Sequence, residues 1–261
     1  MPTYATLAIT TDPRGVAWLT LNRPEKRNAL SGQMIADLTA AAHCLSGQDQ
    51  VRAVVLAGTG AVFCAGADLD WMKTQIDATR DQRMVQARKL AIMLKTLNEM
   101  PKPLIGRIHG GAFGGGVGLA CVCDVVLAAK GNKFGLTETR LGLIPATISP
   151  YVLARIGEGK ARRVFMSARI FDATEALQLG LVAKVVAEAE LDAEIGAEIA
   201  PYLSAAPGAV AAAKALARAL GPRIDDQIIE ETIGRLADTW DSEEAAHGIA
   251  AFLAKRPPRW G

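Results

Sequence analysis

The stretch His109-Gly110-Gly111-Ala112-Phe113-Gly114-Gly115-Gly116-Val117-Gly118-Leu119 constrains this chain more than any other. The apolar run before it, Leu104-Ile105-Gly106-Arg107-Ile108, reads as a strand, and Leu119-Ala120-Cys121-Val122-Cys123 reads as a buried helix. Glycines at a strand-to-helix junction let a backbone approach a ligand closely. The first turn of a helix presents unpaired N–H groups at the positive end of its dipole. Close packing alone would also account for such glycines, but a second turn shifts the balance. Phe63-Cys64-Ala65-Gly66-Ala67-Asp68-Leu69 follows another strand-like run, Ala53-Val54-Val55-Leu56-Ala57. Two strand ends, each finished by a glycine turn, can aim two N–H groups at one oxygen, which is the geometry of an oxyanion hole.

At 261 residues the chain can bury a substantial core without disulfides or metal. One domain, or one with an appendage, is expected. Half the residues are apolar and 21% are charged, as in an ordinary soluble globular protein. A formal net charge of +2 without a long basic run argues against nucleic acid as a partner. No run of 18 apolar residues occurs, so no membrane span is expected. Met1-Pro2-Thr3-Tyr4 shows no basic n-region or apolar h-region, and a cytoplasmic location is expected. Cys44, Cys64, Cys121 and Cys123 are not in a zinc-binding spacing. Reduced, mostly buried thiols and no metal are the expectation.

Val16-Ala17-Trp18-Leu19-Thr20-Leu21 reads as a strand. Ser31 is placed to cap a helix carrying Met34, Leu38, Ala41 and Leu45 on one face. A helix from Asp81 to Met100 aligns Met84, Ala87, Ala91, Leu94 and Leu97, and Pro101 and Pro103 stop it. Val125 to Ala129 is another strand. Alternating strands and helices argue for an α/β unit with parallel strands. Beyond about Pro145 the pattern is mostly helical, including the alanine-rich stretch from Ala205 to Ala219. Ile229, Ile233, Leu236 and Trp240 form an apolar stripe at helical spacing, suited to a core or to subunit contact.

Four segments in register resemble the enoyl-CoA hydratase/isomerase (crotonase) superfamily. They are Leu21-Asn22-Arg23-Pro24-Glu25-Lys26-Arg27-Asn28-Ala29-Leu30, Phe63 to Leu69, Gly110 to Gly118, and Phe134-Gly135-Leu136-Thr137-Glu138-Thr139-Arg140-Leu141-Gly142-Leu143-Ile144-Pro145. The match covers nearly the whole chain, to Ala251-Phe252-Leu253-Ala254-Lys255-Arg256. The resemblance implies an α/β fold with a crotonase-type β/α spiral core over residues 1–200 and a helical C-terminal trimerisation region over 201–261. It implies a homotrimer or hexamer. Its ligand would be an acyl-CoA thioester, with no separate cofactor because coenzyme A is part of the substrate. It places oxyanion-hole donors at the N–H groups of Ala67 and Gly115. It gives the acid–base role to Glu138, whose carboxylate beside an apolar acyl pocket should have a raised pKa. A solvated glutamate at a turn is the plain alternative for that residue. For coenzyme A the resemblance implies Lys26, Ala29 and Leu30 of one loop and the backbone from Ala65 through Asp68 to Leu69. Phe252 and Lys255, on a C-terminal helix, would reach the ligand of a neighbouring subunit.

Two departures bear on the chemistry. Gly118 stands where typical hydratases of this family carry a second glutamate. Asp70 and Asp124 are the nearby acids, better suited to a solvent-facing and a helix-end role. After Pro145 the chain reads Ala146-Thr147-Ile148-Ser149-Pro150-Tyr151, where many relatives read Pro-Gly-x-Gly-Gly-Thr. Together these resemble a subgroup of bacterial hydratases acting on branched, carboxylated acyl-CoAs such as 3-methylglutaconyl-CoA, in leucine and acyclic terpene breakdown. Gly118 is then a substrate-binding residue, expected to leave room beside the acyl pocket, and Arg140 is a candidate partner for a substrate carboxylate. His109 has no evident nucleophile and orienting acid and reads as structural. The expected activity is hydration of the 2,3-double bond of an enoyl-CoA. The alternatives are a Δ3,Δ2-enoyl-CoA isomerase, a thioester hydrolase, and a catalytically silent relative binding acyl-CoA or RNA.

Overall fold

The computed structural model describes residues 2–261. β1 (Leu7–Thr11) and β2 (Val16–Leu21) form an antiparallel pair. A loop with one 3-10 turn leads to α1 (Gly32–Ser46), β3 (Ala53–Gly58), α2 (Leu69–Ile76), α3 (Arg80–Glu99) and β4 (Leu104–Ile108). The glycine run forms β5 (Gly111–Phe113) and α4 (Gly115–Val122), followed by β6 (Val125–Ala129) and β7 (Lys133–Gly135). Then come α5 (Ser149–Ile156), α6 (Glu158–Ser167), β8 (Ile170–Asp172), α7 (Ala173–Leu179) and β9 (Lys184–Val186). The chain finishes with α8 (Leu191–Ser204), α9 (Pro207–Leu220), α10 (Asp226–Trp240) and α11 (Glu243–Leu253).

The main sheet has the order β1-β2-β3-β4-β6-β9, with every pair from β2 onward parallel. A parallel sheet must be covered on both faces. Val54 and Leu56 of β3 enter the main core with α1 and α3, while Ala53 and Val55 face Leu191, Ile195 and Ile199 of α8. That two-sided burial is why Ala53 to Ala57 reads as an unbroken apolar run. A smaller sheet, β5-β7-β8, holds strands of three residues, too short to show any periodicity in the sequence.

The helices obey the expected faces. Ser31 caps α1, its Oγ accepting from the Met34 N–H at 3.2 Å, and Met34, Leu38, Ala41 and Leu45 are fully buried. α3 opens with a capping box at Thr79 and buries Ala87, Ala91, Leu94 and Leu97. Among the described residues no helix is long and apolar enough to cross a membrane.

The α10 stripe, which the sequence left between a core and a subunit contact, belongs to the core. Ile229 and Ile233 are buried against Ala87 and Ala91 of α3, with Met84 and Leu236 closing the cluster. Trp240 packs with Leu143, Ala245 and Ile249. Fully burying one such side chain contributes ~1.5–3 kcal/mol, and here the partner surface is supplied by the same chain.

The bend between β4 and β5 turns on Gly110, at φ +66°. A Cβ there would collide with the Ala61 carbonyl oxygen and lie 2.8 Å from the Val62 Cα. Both contacts are backbone and cannot swing aside. Gly110→Ala should therefore destabilise the fold by more than ~2 kcal/mol. Denaturant midpoints measure this, and an unchanged midpoint would mean that the two turns can part without cost.

Candidate active site

β3 and β4 end side by side, and the turns that follow them are stitched together. The Cys64 N–H donates to the Gly111 carbonyl at 3.2 Å, and the Phe113 N–H donates to the Cys64 carbonyl at 3.0 Å. The loop after β2 joins the same turn: Leu30 donates to Gly66 at 2.7 Å, and Asp68 donates to Leu30 at 3.1 Å. In such a parallel bridge the residue between two bonded peptides turns its own N–H the other way. That residue is Ala67, which is exposed. Gly115 is the first residue of α4, where helical N–H groups have no acceptor within the helix. Neither N–H donates to any acceptor among the described residues.

A polar frame holds these turns. The Asp68 carboxylate caps α2, accepting from Asp70 at 2.9 Å and Trp71 at 3.2 Å, and pairs with Arg23 at 3.0 Å. Its side chain is therefore occupied within the protein and positions the turn, leaving the backbone as the part expected at coenzyme A. Asn28 is fully buried and left-handed, and its amide donates to the carbonyls of Thr59 at 2.7 Å and Val62 at 3.0 Å.

Glu138 begins the 3-10 turn Glu138–Leu141 after β7. Its Oε2 is shut off from water and has no hydrogen-bond partner. A Cβ on Gly114 would lie 3.0 Å from Glu138 Oε1 and 4.0 Å from the Gly66 Cα. The carboxylate and both glycine turns thus converge at Gly114. Burial disfavours the charged carboxylate and pushes its pKa up to about 7, opposed by a hydrogen bond to its own backbone. Such a group both takes and gives a proton near neutral pH.

Gly118 corrects a sequence expectation. It is buried, and a Cβ on it would collide with Ile148 Cγ2, lie 3.0 Å from Ile148 Cβ and 3.7 Å from Leu94 Cδ2. The space expected to admit an acyl branch is filled by Ile148, so Gly118 is not an open ligand wall. The two departures from the family pattern are one packing unit. The larger residue after Pro145, facing a glycine four residues into α4, was the readable hint.

Other predicted residues are scattered. Lys26 is exposed and pairs with Asp70 at 3.0 Å, and Asp70 also lies 3.6 Å from Lys73. Ala29 and Leu30 are buried, and Leu30 packs over Gly115, its Cδ1 2.6 Å from where a Cβ would stand. Ala65 is half-buried and donates to the Arg27 carbonyl at 3.0 Å, and Leu69 is exposed at the start of α2. Phe252 is exposed in the last turn of α11, whereas Lys255 is exposed in the turn beyond Leu253 and not on the helix where it was expected, and among the described residues no ion pair ties Lys255 to the others. Asp124 accepts from the Leu104 N–H at 2.8 Å and pairs with Lys214 at 2.7 Å, a structural role. Arg140 is exposed. His109 bonds the Gly60 carbonyl through Nε2 at 2.8 Å, and burial pushes the Cys64 thiol up to about 12, so neither is an activated group.

The chain matches the family model described as enoyl-CoA hydratase/isomerase over residues 11–261. An enoyl-CoA hydratase crystal structure from Shewanella pealeana is 37% identical, with a TM-score of 0.80 over 98% of this chain and 96% of that one. An enoyl-CoA hydratase structure from Mycobacterium avium is 32% identical, with a TM-score of 0.85 over 99% and 100%. An enoyl-CoA hydratase/isomerase structure from Pseudoalteromonas atlantica is 30% identical, with a TM-score of 0.85 over 98% and 100%. The expected α/β architecture with C-terminal helices agrees with these neighbours.

Two measurements follow from this geometry. Glu138 binds protons more tightly folded than unfolded, so its cost to stability grows as pH rises from about 4.5 and is complete above about 7. Glu138→Gln has no such cost and should exceed the wild type by up to ~3 kcal/mol at pH 8, with little difference at pH 4.5. Equal differences at both pH values would contradict a buried carboxylate. Gly118→Ala and Ile148→Ala should each destabilise by ~2 kcal/mol or more, and the double variant by at least ~1 kcal/mol less than their sum. Simple additivity would contradict the packing unit.

Proposed function

This chain belongs to the enoyl-CoA hydratase/isomerase family, and from that premise we propose that it adds water across the 2,3-double bond of an enoyl-CoA. Glu138 is the acid–base residue, and the N–H groups of Ala67 and Gly115 form the oxyanion hole. The observation that carries this reading is the buried Glu138 carboxylate facing Gly114, its Oε2 without a partner, next to two N–H groups without acceptors.

The thioester carbonyl oxygen accepts from both N–H groups. The Glu138 carboxylate takes a proton from water as the water oxygen bonds to C3. The C2–C3 π electrons move toward the thioester oxygen, giving an enolate on which the charge is held. Each such donor is worth ~2.7–4 kcal/mol where charge develops. The Glu138 carboxylic acid then returns its proton to C2. One carboxylate near neutral pKa serves both steps, so no second acid is required at Gly118. Lys26 and the backbone from Ala65 to Leu69 are assigned to the nucleotide end. A homotrimer or hexamer belongs to the same reading, supported by Phe252 standing exposed at the end of α11 and Lys255 in the turn beyond it. The finer assignment to 3-methylglutaconyl-CoA loses its argument from space, because Ile148 fills it.

A second reading is Δ3,Δ2-isomerisation, in which Glu138 takes a proton from C2 and returns it to C4 through the same enolate. Ile148 over Gly118 favours it, since no second carboxylate is there to hold a water.

Crotonyl-CoA hydration, followed by loss of the conjugated thioester absorbance, tests the main reading. Glu138→Gln should lower kcat at least ~10²-fold with little change in CoA-ester affinity. In the wild type kcat/KM should rise with pH to a plateau with an inflection near 7, the pKa of Glu138, and the variant should lose it. Near wild-type turnover by Glu138→Gln removes that residue from the mechanism. Faster conversion of a 3-enoyl-CoA than hydration of crotonyl-CoA selects the isomerase.

A further inference from the structure

The loop from Thr59 to Val62, between β3 and the Phe63 turn, belongs to no strand or helix. Side chains from elsewhere hold its carbonyls. The Asn28 amide donates to those of Thr59 and Val62, and buried His109 meets that of Gly60 through Nε2 at 2.8 Å. On the other side of the ring, Arg107 Nη1 lies 3.3 Å from His109 Nδ1. Arg107 Nε in turn donates to Asp192, in the first turn of α8. A guanidinium only donates and a carbonyl only accepts. Both contacts therefore demand the same tautomer of His109, with Nδ1 accepting and the proton on Nε2. Asp192 fixes Arg107, Arg107 fixes the ring, and the ring holds Gly60. Hydrogen bonds in series polarise one another, so the cation strengthens the bond from Nε2.

The His109 backbone is fastened to the same turn. Its carbonyl accepts from Phe63 at 2.9 Å and from Gly111 at 2.6 Å. Those two residues lead directly into the peptide bonds around Cys64, and so toward Ala67 on one side and Gly115 on the other. His109 thus grips the β3 turn twice, by its ring at Gly60 and by its backbone at Phe63. With both ring nitrogens occupied inside the protein, it has no proton to exchange with a ligand. We propose, on the oxyanion-hole reading above, that His109 is a positioning residue, whose Arg107-oriented ring sets where the Ala67 N–H stands relative to that of Gly115. Without the ring bond the carbonyl of Gly60, an exposed residue, turns to water and the loop is free to shift. A misplacement of ~1 Å at a catalytic group can cost ~10²-fold in rate.

His109→Gln and His109→Met test this in the full chain. The two new side chains are uncharged and nearly equal in size, and only Gln keeps an N–H for the Gly60 carbonyl. The probe is acetoacetyl-CoA, whose enolate places charge on the thioester oxygen and absorbs in the near ultraviolet. The ratio of bound enolate to bound keto form is measured at one fixed pH. It is read per bound ligand, so a smaller folded fraction does not imitate a loss. Gln should keep the wild-type ratio within ~3-fold, and Met should fall at least ~5-fold below Gln. Arg107→Met, which takes the donor from Nδ1, should lower the ratio at least ~2-fold. Affinity for butyryl-CoA, a saturated thioester with no such charge, should change less than ~2-fold throughout. Equal ratios for Gln and Met, or no change in Arg107→Met, overturn the proposal while the wild type still holds the enolate. Parallel losses of enolate and butyryl-CoA binding mark a role in folding only and overturn it as well. A wild type that holds no enolate sinks the oxyanion-hole reading and this inference with it.

Discussion

Two peptide hydrogen bonds, one on each side of Cys64, fasten the turn after β3 to β5. Without them the ends of β3 and β4 would carry two independent glycine loops. With them, the Ala67 and Gly115 N–H groups belong to one rigid surface. Backbone donors are almost always satisfied when a chain folds, so leaving two unpaired requires a frame that forbids the loops from closing on their own carbonyls. Asn28 and the Arg23–Asp68 pair supply that frame, each tying the loop after β2 to the β3 turn.

Glu138 is held against a cost. Its oxygen is buried without a partner, and its pKa rises to about 7 as a result. The turn carrying it is clamped from behind by α11, where a Cβ on Gly248 would stand 2.6 Å from the Leu141 backbone and one on Gly142 would stand 2.5 Å from Glu244. That backbone-to-backbone contact ties the C-terminal helix to the position of the carboxylate. Perturbed groups of this kind gather at functional sites, where surrounding structure maintains an arrangement that is locally unfavourable. Here the surrounding structure is the core of α1, α3 and α4 on one side and α11 on the other.

Gly118 and Ile148 show how a missing carboxylate is accommodated. A glycine in a buried helix would leave a cavity, and interiors rarely tolerate one. Ile148 fills it from the segment after Pro145, with Leu94 of α3 alongside. One change in charge and one in volume are therefore parts of the same local solution. Its consequence is that an aliphatic side chain, not an ionisable one, occupies the space beside Gly118.

The sequence by itself determined the α/β order, the cap at Ser31, the buried faces of α1 and α3, and the positions of the two glycine turns. These are local signals: periodicity, capping chemistry and the absence of side chains where backbones meet. It could not show β5, β7 and β8, since three-residue strands have no period and exist only because they pair with one another. Nor could it decide whether Ile229 and Ile233 face α3 or another subunit, because an apolar stripe does not name its partner. Nor could it pair the Asp68 carboxylate with Arg23, 45 residues away. Only the tertiary structure decided these, together with the closure of Gly118 by Ile148. Each depends on which distant segments meet, and contacts across tens of residues leave no pattern in the local order of side chains.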